Sequence, residues 1–383
     1  MLHLLRVPKW GLSMERANVL VWLQEEGSAV EVGTGLVEIE SEKIANELQS
    51  EHSGVLRSIL APVGMMVAVG DPLAVIASEH ESDALVEEFV RALPRASATG
   101  EVEGTGPKRA QIRVGPHLVS YLSLGAPQSR NLPVVLVHGF GGDATTWQLN
   151  APVLAAQRSV FALDLPGHGL SSRELQSGSL EELSGAVEGF IAALALNRFH
   201  LVGHSLGSAI ALRIARKDST RIASLSLLSP VGLGIPVDPG FIDGFVRAES
   251  RKEVKRVLEQ LFENGSLVTP ELIEKVQQGK RLDGARQALE KIAASNFLAD
   301  GGFVAYDPNA LLDLGTRTLI IAGAVDRVIA FGKGVEAAHN MQLSVLPRAG
   351  HMPQIEAAQA VNRLLEEAFT AHDDSCPMET NTE

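Results

Sequence analysis

Cysteine is almost absent: the 383-residue sequence holds one, Cys376. A single thiol cannot close an internal disulfide, so the fold does not depend on an oxidising compartment. Basic runs are absent too, and the formal charge is −13. That excludes the concentrated positive surface on which nucleic-acid binding rests. No apolar run reaches the length of a membrane span. The opening residues, MLHLLRVPKWGLSMER, lack the apolar core and small-residue cleavage site of a secretory signal. The expectation is a cytoplasmic protein with neither nucleic-acid nor membrane partners. What is present is a globular balance, 45% hydrophobic and 21% charged, in a chain long enough for two domains.

The first eighty or so residues repeat themselves. Residues 27–39 and 64–76 both read G-x-x-V-x-V-G-x-x-L-x-x-I, 37 positions apart. Alternating valines suit strands and the glycines suit the turns that bound them. Two similar all-β halves therefore build a small flattened barrel over residues 2–78. Between the halves, alternation runs in from Val37 and Ile39 and resumes after Lys43, so the polar group Glu40–Lys43 falls at a hairpin tip. For an isolated lysine, an exposed turn residue is the ordinary reading.

The neighbouring motifs change that reading. Residues 2–78 resemble the lipoyl domains of 2-oxo acid and acetoin dehydrogenase complexes through VPKWGLSME, the paired G-x-x-V-x-V-G repeats and IESEKIA around Lys43. The resemblance implies lipoic acid in amide linkage to Lys43. Biotinyl domains share the fold but set the modified lysine between methionines, whereas Lys43 lies between Glu42 and Ile44.

Residues 79–110 break the β pattern. Leu85, Val86, Phe89, Val90 and Leu93 fall on one helical stripe that stops at Pro94. This helix is expected to pack on its own protein or, as the alternative, to dock partners. The small-residue stretch after it reads as a linker, and about thirty flexible residues reach roughly 30 Å.

From residue 111 to 371 short β-branched runs alternate with amphipathic stretches, the pattern of a mostly parallel sheet with helices on both faces. A helix is expected near Trp147–Ala156, and Ser179 with Glu182 has the spacing of a capping box. Gly203-His204-Ser205-Leu206-Gly207 follows one strand and precedes a helical stretch. In that context G-x-S-x-G is a tight strand-to-helix turn that exposes a nucleophilic serine. His138–Gly142 follows another strand, where a loop donating an oxyanion-hole amide belongs, so the backbone N–H groups of Phe140 and Leu206 are the expected donors. Asp326 ends a late strand and His351 follows the last one. Ser205, Asp326, His351 is the chain order of the α/β-hydrolase family, which residues 111–370 resemble. Asp164, His168, His138 and His204 are expected to organise loops. A helical cap over about 231–306 is expected to fold Phe241 and Phe245 over Ser205, and residues 372–383 read as a disordered tail.

A lipoyl domain followed by an α/β-hydrolase domain resembles the dihydrolipoyllysine acetyltransferase subunits of bacterial acetoin dehydrogenase complexes. The resemblance implies acetyl carried on lipoyl-Lys43 and passed to coenzyme A. It also implies two partners, a thiamine-diphosphate enzyme that cleaves acetoin and a dihydrolipoamide dehydrogenase. One departure from related acyltransferases is that their H-x-x-x-D-G motif is missing, so their transfer chemistry does not carry over; attack by Ser205 is the hypothesis in its place. Two alternatives stay open: a serine ester or thioester hydrolase fused to a carrier, and a carrier on a non-catalytic scaffold. No metal is implied. The cations Arg247, Arg251, Lys252, Lys255 and Arg256 form either a solvated helix face or a site for coenzyme A phosphates.

Overall fold

The computed structural model describes residues 2–8, 16–24, 26–40, 45–61, 65–78, 81–82, 85–86, 89–90, 107–125, 129, 131–304, 314–329 and 341–373. The chain divides into two compact units, Met1–Glu103 and Gly104–Glu383.

The first unit contains β1 (Leu2–Arg6), β2 (Arg16–Trp22), β3 (Ala29–Val30), β4 (Gly35–Glu40), β5 (Ala45–Gln49), β6 (Gly54–Ile59), β7 (Met66–Ala68) and β8 (Pro72–Ala77). They form two four-stranded sheets, ordered β1-β8-β6-β3 and β5-β4-β2-β7. The sequence repeat explains why both sheets close on one core. Val30 and Val67, Leu36 and Leu73, and Ile39 and Ile76 hold equivalent repeat positions, and all six side chains are buried. Gly33 and Gly70 are likewise equivalent, and both sit at φ +89°, a left-handed turn conformation that costs glycine little. β4 pairs antiparallel with β5 as far as Glu40 opposite Ala45. Lys43 falls between these strand ends, outside the described residues. After the barrel, Val86, Phe89 and Val90 pack on Leu2, Leu4, Leu60, Val75 and Ala77. Val86, Phe89 and Val90 of the apolar stripe thus cover their own barrel, while Leu85 is exposed.

The second unit is built on β9 (Lys108–Val114), β10 (His117–Leu124), β11 (Val134–Val137), β12 (Val160–Leu163), β13 (Phe199–His204), β14 (Ile222–Leu228), β15 (Thr318–Gly323) and β16 (Met341–Leu346). Their order is β16-β15-β14-β13-β11-β12-β10-β9. β10 pairs antiparallel with β9 and β12; the other pairs are parallel. Separate hydrophobic clusters lie on the two faces of the sheet. One includes Leu183, Phe190 and Ile210, and the other includes Trp147, Leu154, Leu365 and Phe369. Burial on both faces is why the strands read as continuous apolar runs.

The helices are α1 (Ala151–Leu154), α2 (Leu180–Ala193), α3 (Leu206–Lys217), α4 (Pro239–Arg247), α5 (Arg251–Leu258), α6 (Pro270–Arg281), α7 (Ala285–Asn296), α8 (Pro353–Glu356) and α9 (Ala358–Asp373). The helix expected near Trp147–Ala156 is instead a 3-10 turn over Ala144–Trp147 followed by α1. Asp143 caps the turn, and Pro152, lacking an N–H, fits only in the first turn of a new helix. Ser179 does cap α2 by accepting from the Glu182 N–H. The Glu182 carboxylate, however, accepts from the N–H groups of Gln176, Ser177 and Gly178.

The sequence boundary at residue 371 stops short of an anchor. Asp373, the last residue of α9, pairs with Arg158 at 2.8 Å and meets His200 Nε2 at 3.3 Å. The Arg158 and His200 side chains are buried at 2% and 0% exposure, so removing their carboxylate partner strands charge in the interior. Asp373→Ala should therefore lose about 3 kcal/mol of stability. The loss should appear as a lowered urea midpoint with unchanged slope.

Candidate active site

Ser205 caps the end of β13 just before α3. Its backbone is at φ 53°, ψ −117°, a region strained for any residue with a Cβ. The flanking glycines permit the turn. A methyl at Gly203 would lie 2.3 Å from the Gly207 carbonyl oxygen, and one at Gly207 would lie 2.3 Å from the Val137 oxygen. The strain and these close approaches put Ser205 at the positive end of the α3 dipole.

Two segments far apart in sequence complete the histidine pair. His351 Nδ1 donates to Asp326 Oδ2 at 2.8 Å, which leaves Nε2 as the ring's proton acceptor. The other Asp326 oxygen accepts the Val328 and Ile329 N–H groups at 2.8 and 2.9 Å. Burial works against the Asp326 charge, but the His351 ring and these two amides outweigh it and hold the carboxyl below its ordinary value. Asp326 therefore stays an anion and fixes the imidazole tautomer.

The His138–Gly142 loop lies against the serine, since a methyl at Gly139 would come within 2.8 Å of Ser205 Cβ. His138 Nε2 accepts the Leu165 N–H at 2.9 Å and its Nδ1 faces the Gly139 oxygen; His168 Nε2 accepts the Gly141 N–H at 3.0 Å. Asp164 takes N–H groups from Ala144 and Leu170 and a guanidinium from Arg109. These residues organise loops, as their positions after strands suggest. Leu206 opens α3, so its N–H has no carbonyl one turn back to bond.

The cap closes over this floor with aromatic rings. Phe245 of α4 sits where a Gly141 side chain would be and packs edge-on against Phe140 at 5.8 Å; Phe297 meets Phe140 at the same separation. Phe241 lies 6.4 Å from the His351 ring. Ser205 is 7% exposed and His351 2%, so both side chains are largely shut off from bulk water. The cations of α4 and α5 form a solvated face: Arg247 pairs with Asp243 and Lys255 with Glu259, all well exposed.

Two further side chains support the histidine loop: His204, among the expected loop organisers, and Glu356, which no sequence motif marks. The His204 Nε2 donates to the His351 carbonyl oxygen at 2.8 Å. Glu356 accepts the N–H groups of Gly350, Glu263 and Asn264, tying the histidine loop to the cap; burial raises its pKa. Its only sequence signal is an acid in the short helix that Pro353 starts after His351.

Burial lowers the pKa of His138, His168 and His204, the latter two to about 3. Unfolded, these rings bind protons near pH 6.5. Between pH 6.5 and about 3 the unfolded chain therefore binds more protons, and stability falls as pH falls. His168 and His204 should each remove about 1.4 kcal/mol per pH unit in that window, and His138 acts in the same direction. Urea midpoints should drop steeply from pH 7 to pH 5; a flat profile would mean that the rings are not buried neutral.

Comparison with known proteins agrees with both units. Residues 134–364 match the alpha/beta hydrolase family and residues 3–76 match the family of biotin-requiring enzymes. A meta-cleavage product hydrolase from Pseudomonas fluorescens IP01 superposes with a TM-score of 0.62 at 25% identity, over 68% of this chain and 97% of its own. The class is thus an α/β hydrolase fold joined to a biotin/lipoyl-type domain. Over 369 residues the chain is 39% identical to the dihydrolipoyllysine-residue acetyltransferase component of the acetoin cleaving system of Pseudomonas putida, covering 94% of this chain and 97% of that one. The Cupriavidus necator component of the same description is 35% identical over 360 residues, 94% and 95% of the two chains. The chain belongs to this family of dihydrolipoyllysine-residue acetyltransferase components.

Proposed function

We propose that the protein takes an acetyl group carried as a thioester on lipoyl-Lys43 and transfers it to coenzyme A through Ser205. The observation that carries the proposal is the His351–Asp326 pair, at 2.8 Å, in a unit that also holds a strained serine elbow. Lys43 suits the attachment because it lies between the paired ends of β4 and β5. Lipoic acid bound there supplies a thiol that carries acyl groups between sites.

His351 Nε2 removes the Ser205 Oγ proton as Oγ attacks the thioester carbonyl. The Phe140 and Leu206 N–H groups receive the oxyanion. The C–S bond breaks, and the departing thiolate takes the proton back from His351. Coenzyme A then gives its thiol proton to His351 and attacks acetyl-Ser205, and the proton returns to Oγ. Asp326 remains ionised and keeps the imidazole oriented throughout. The partners are an acetoin-cleaving thiamine-diphosphate enzyme that loads the carrier and a dihydrolipoamide dehydrogenase that reoxidises it.

Product analysis tests the acceptor. Protein given an acetyl-dihydrolipoamide donor and coenzyme A should release acetyl-coenzyme A. Free acetate as the main product would make water the acceptor and the protein a hydrolase.

A further inference from the structure

One cleft in the hydrolase unit is cationic. About 340 Å³ in volume, it is lined by Leu180, Ala209, Leu212, Val231, Gly232 and Phe303 together with Arg213, Arg216 and Lys217. No acid is among these lining residues. The larger cleft between α4 and α7, about 750 Å³, has Asp243 and Glu290 against Arg247 and Arg286, so its charges cancel. In a chain of net charge −13, this hollow sets three cations and no acid in its lining, with Glu181 and Glu188 just outside it.

The cleft also has a fixed relation to Ser205, because α3 supplies five of its residues. At 1.5 Å rise per residue, Ala209 lies ~6 Å along the helix from Ser205, and the Arg213–Lys217 stretch lies ~12–18 Å along it. The apolar end is thus nearer the nucleophile and the cationic end farther from it. Coenzyme A has the same order: a thiol, an amphipathic pantetheine arm, then an adenosine bearing a diphosphate and a 3′-phosphate. Arg213 pairs with Glu181 at 3.6 Å and donates to Ser184 Oγ at 3.1 Å, and Lys217 pairs with Glu188 at 2.7 Å; the two cations and Glu181 are solvent-exposed, and Glu188 is part-buried. Exposed pairs are weak, and a ligand with several phosphate oxygens offers guanidinium groups a better bidentate partner.

We infer that this cleft on α3 holds the phosphorylated nucleotide end of coenzyme A, with Arg213, Arg216 and Lys217 on its phosphates and Phe303, Leu212 and Val231 against its apolar parts. The inference rests on coenzyme A being the acceptor. It also assigns the phosphates away from the α4–α5 cations.

The test compares coenzyme A with pantetheine, which lacks the nucleotide. In Arg213→Ala/Arg216→Ala the advantage of coenzyme A over pantetheine in kcat/KM should fall about tenfold or more, mainly through KM for coenzyme A. In the unmodified protein, 3′-phosphoadenosine 5′-phosphate should inhibit competitively against coenzyme A, a measurement that needs no variant. An unchanged ratio in a folded double variant, or no competition by the nucleotide, would overturn the site and reduce these cations to partners of the negative end of α3. Acetate in place of acetyl-coenzyme A from the unmodified protein would instead remove the acceptor on which the site rests.

Discussion

Ser205→Ala should lower acetyl-coenzyme A formation by at least ~10³-fold while leaving the protein folded. The magnitude follows from the proposed chemistry: loss of the nucleophile removes the covalent path, and only binding and the oxyanion donors remain to assist direct attack. Fold should survive because the strain at Ser205, φ 53°, is held by β13 and α3 rather than by the hydroxyl. Alanine carries the same Cβ, so the tight contacts of Gly139, Gly203 and Gly207 are unaltered. A circular-dichroism melt matching the unmodified protein, paired with the rate loss, would separate chemistry from folding. A variant with near-normal transfer would leave the hydrolase unit a scaffold.

The second large effect is expected at Lys43. Lys43→Arg keeps the charge but removes the amine that forms the amide, so peptide mass analysis should show no lipoyl increment. Turnover by the complete multienzyme system should fall to background. Transfer from a free acetyl-dihydrolipoamide donor should persist, because Ser205 and its partners lie in the other compact unit. A tethered carrier works at an effective concentration on the order of millimolar, so the free donor must be supplied at comparable levels. Loss of both activities would point to a folding defect.

The features legible in the sequence are those that local geometry imposes. The barrel repeat could be read because Gly33 and Gly70 need the same left-handed turn and Val30, Val67, Leu36 and Leu73 face one core. The serine elbow could be read because Gly203 and Gly207 admit no side chain. Asp326 and His351 followed from their places after strands, and the 2.8 Å contact between them joins two such local signals. What stayed hidden depends on encounters between distant segments. Glu356 is an unremarked acid until its carboxylate meets the Glu263 and Asn264 amides of the cap. Asp373 resembles the polar tail that follows it, yet it lies against Arg158 and His200. The cationic cleft is hidden for the same reason. Arg213, Arg216 and Lys217 read as a helix end until Val231, Gly232 and Phe303 arrive to form its other wall.

The central claim is an acetyl group bound to Ser205 on its way to coenzyme A. Rapid acid quenching after mixing the protein with acetyl-dihydrolipoamide in the absence of coenzyme A, followed by peptide mass mapping, tests it directly. An acetyl increment on the Ser205 peptide that disappears when coenzyme A is added, as acetyl-coenzyme A appears, is the expected result. Acetyl-coenzyme A formed at full rate by Ser205→Ala protein, with no acetylated Ser205 peptide from the unmodified chain, would contradict it.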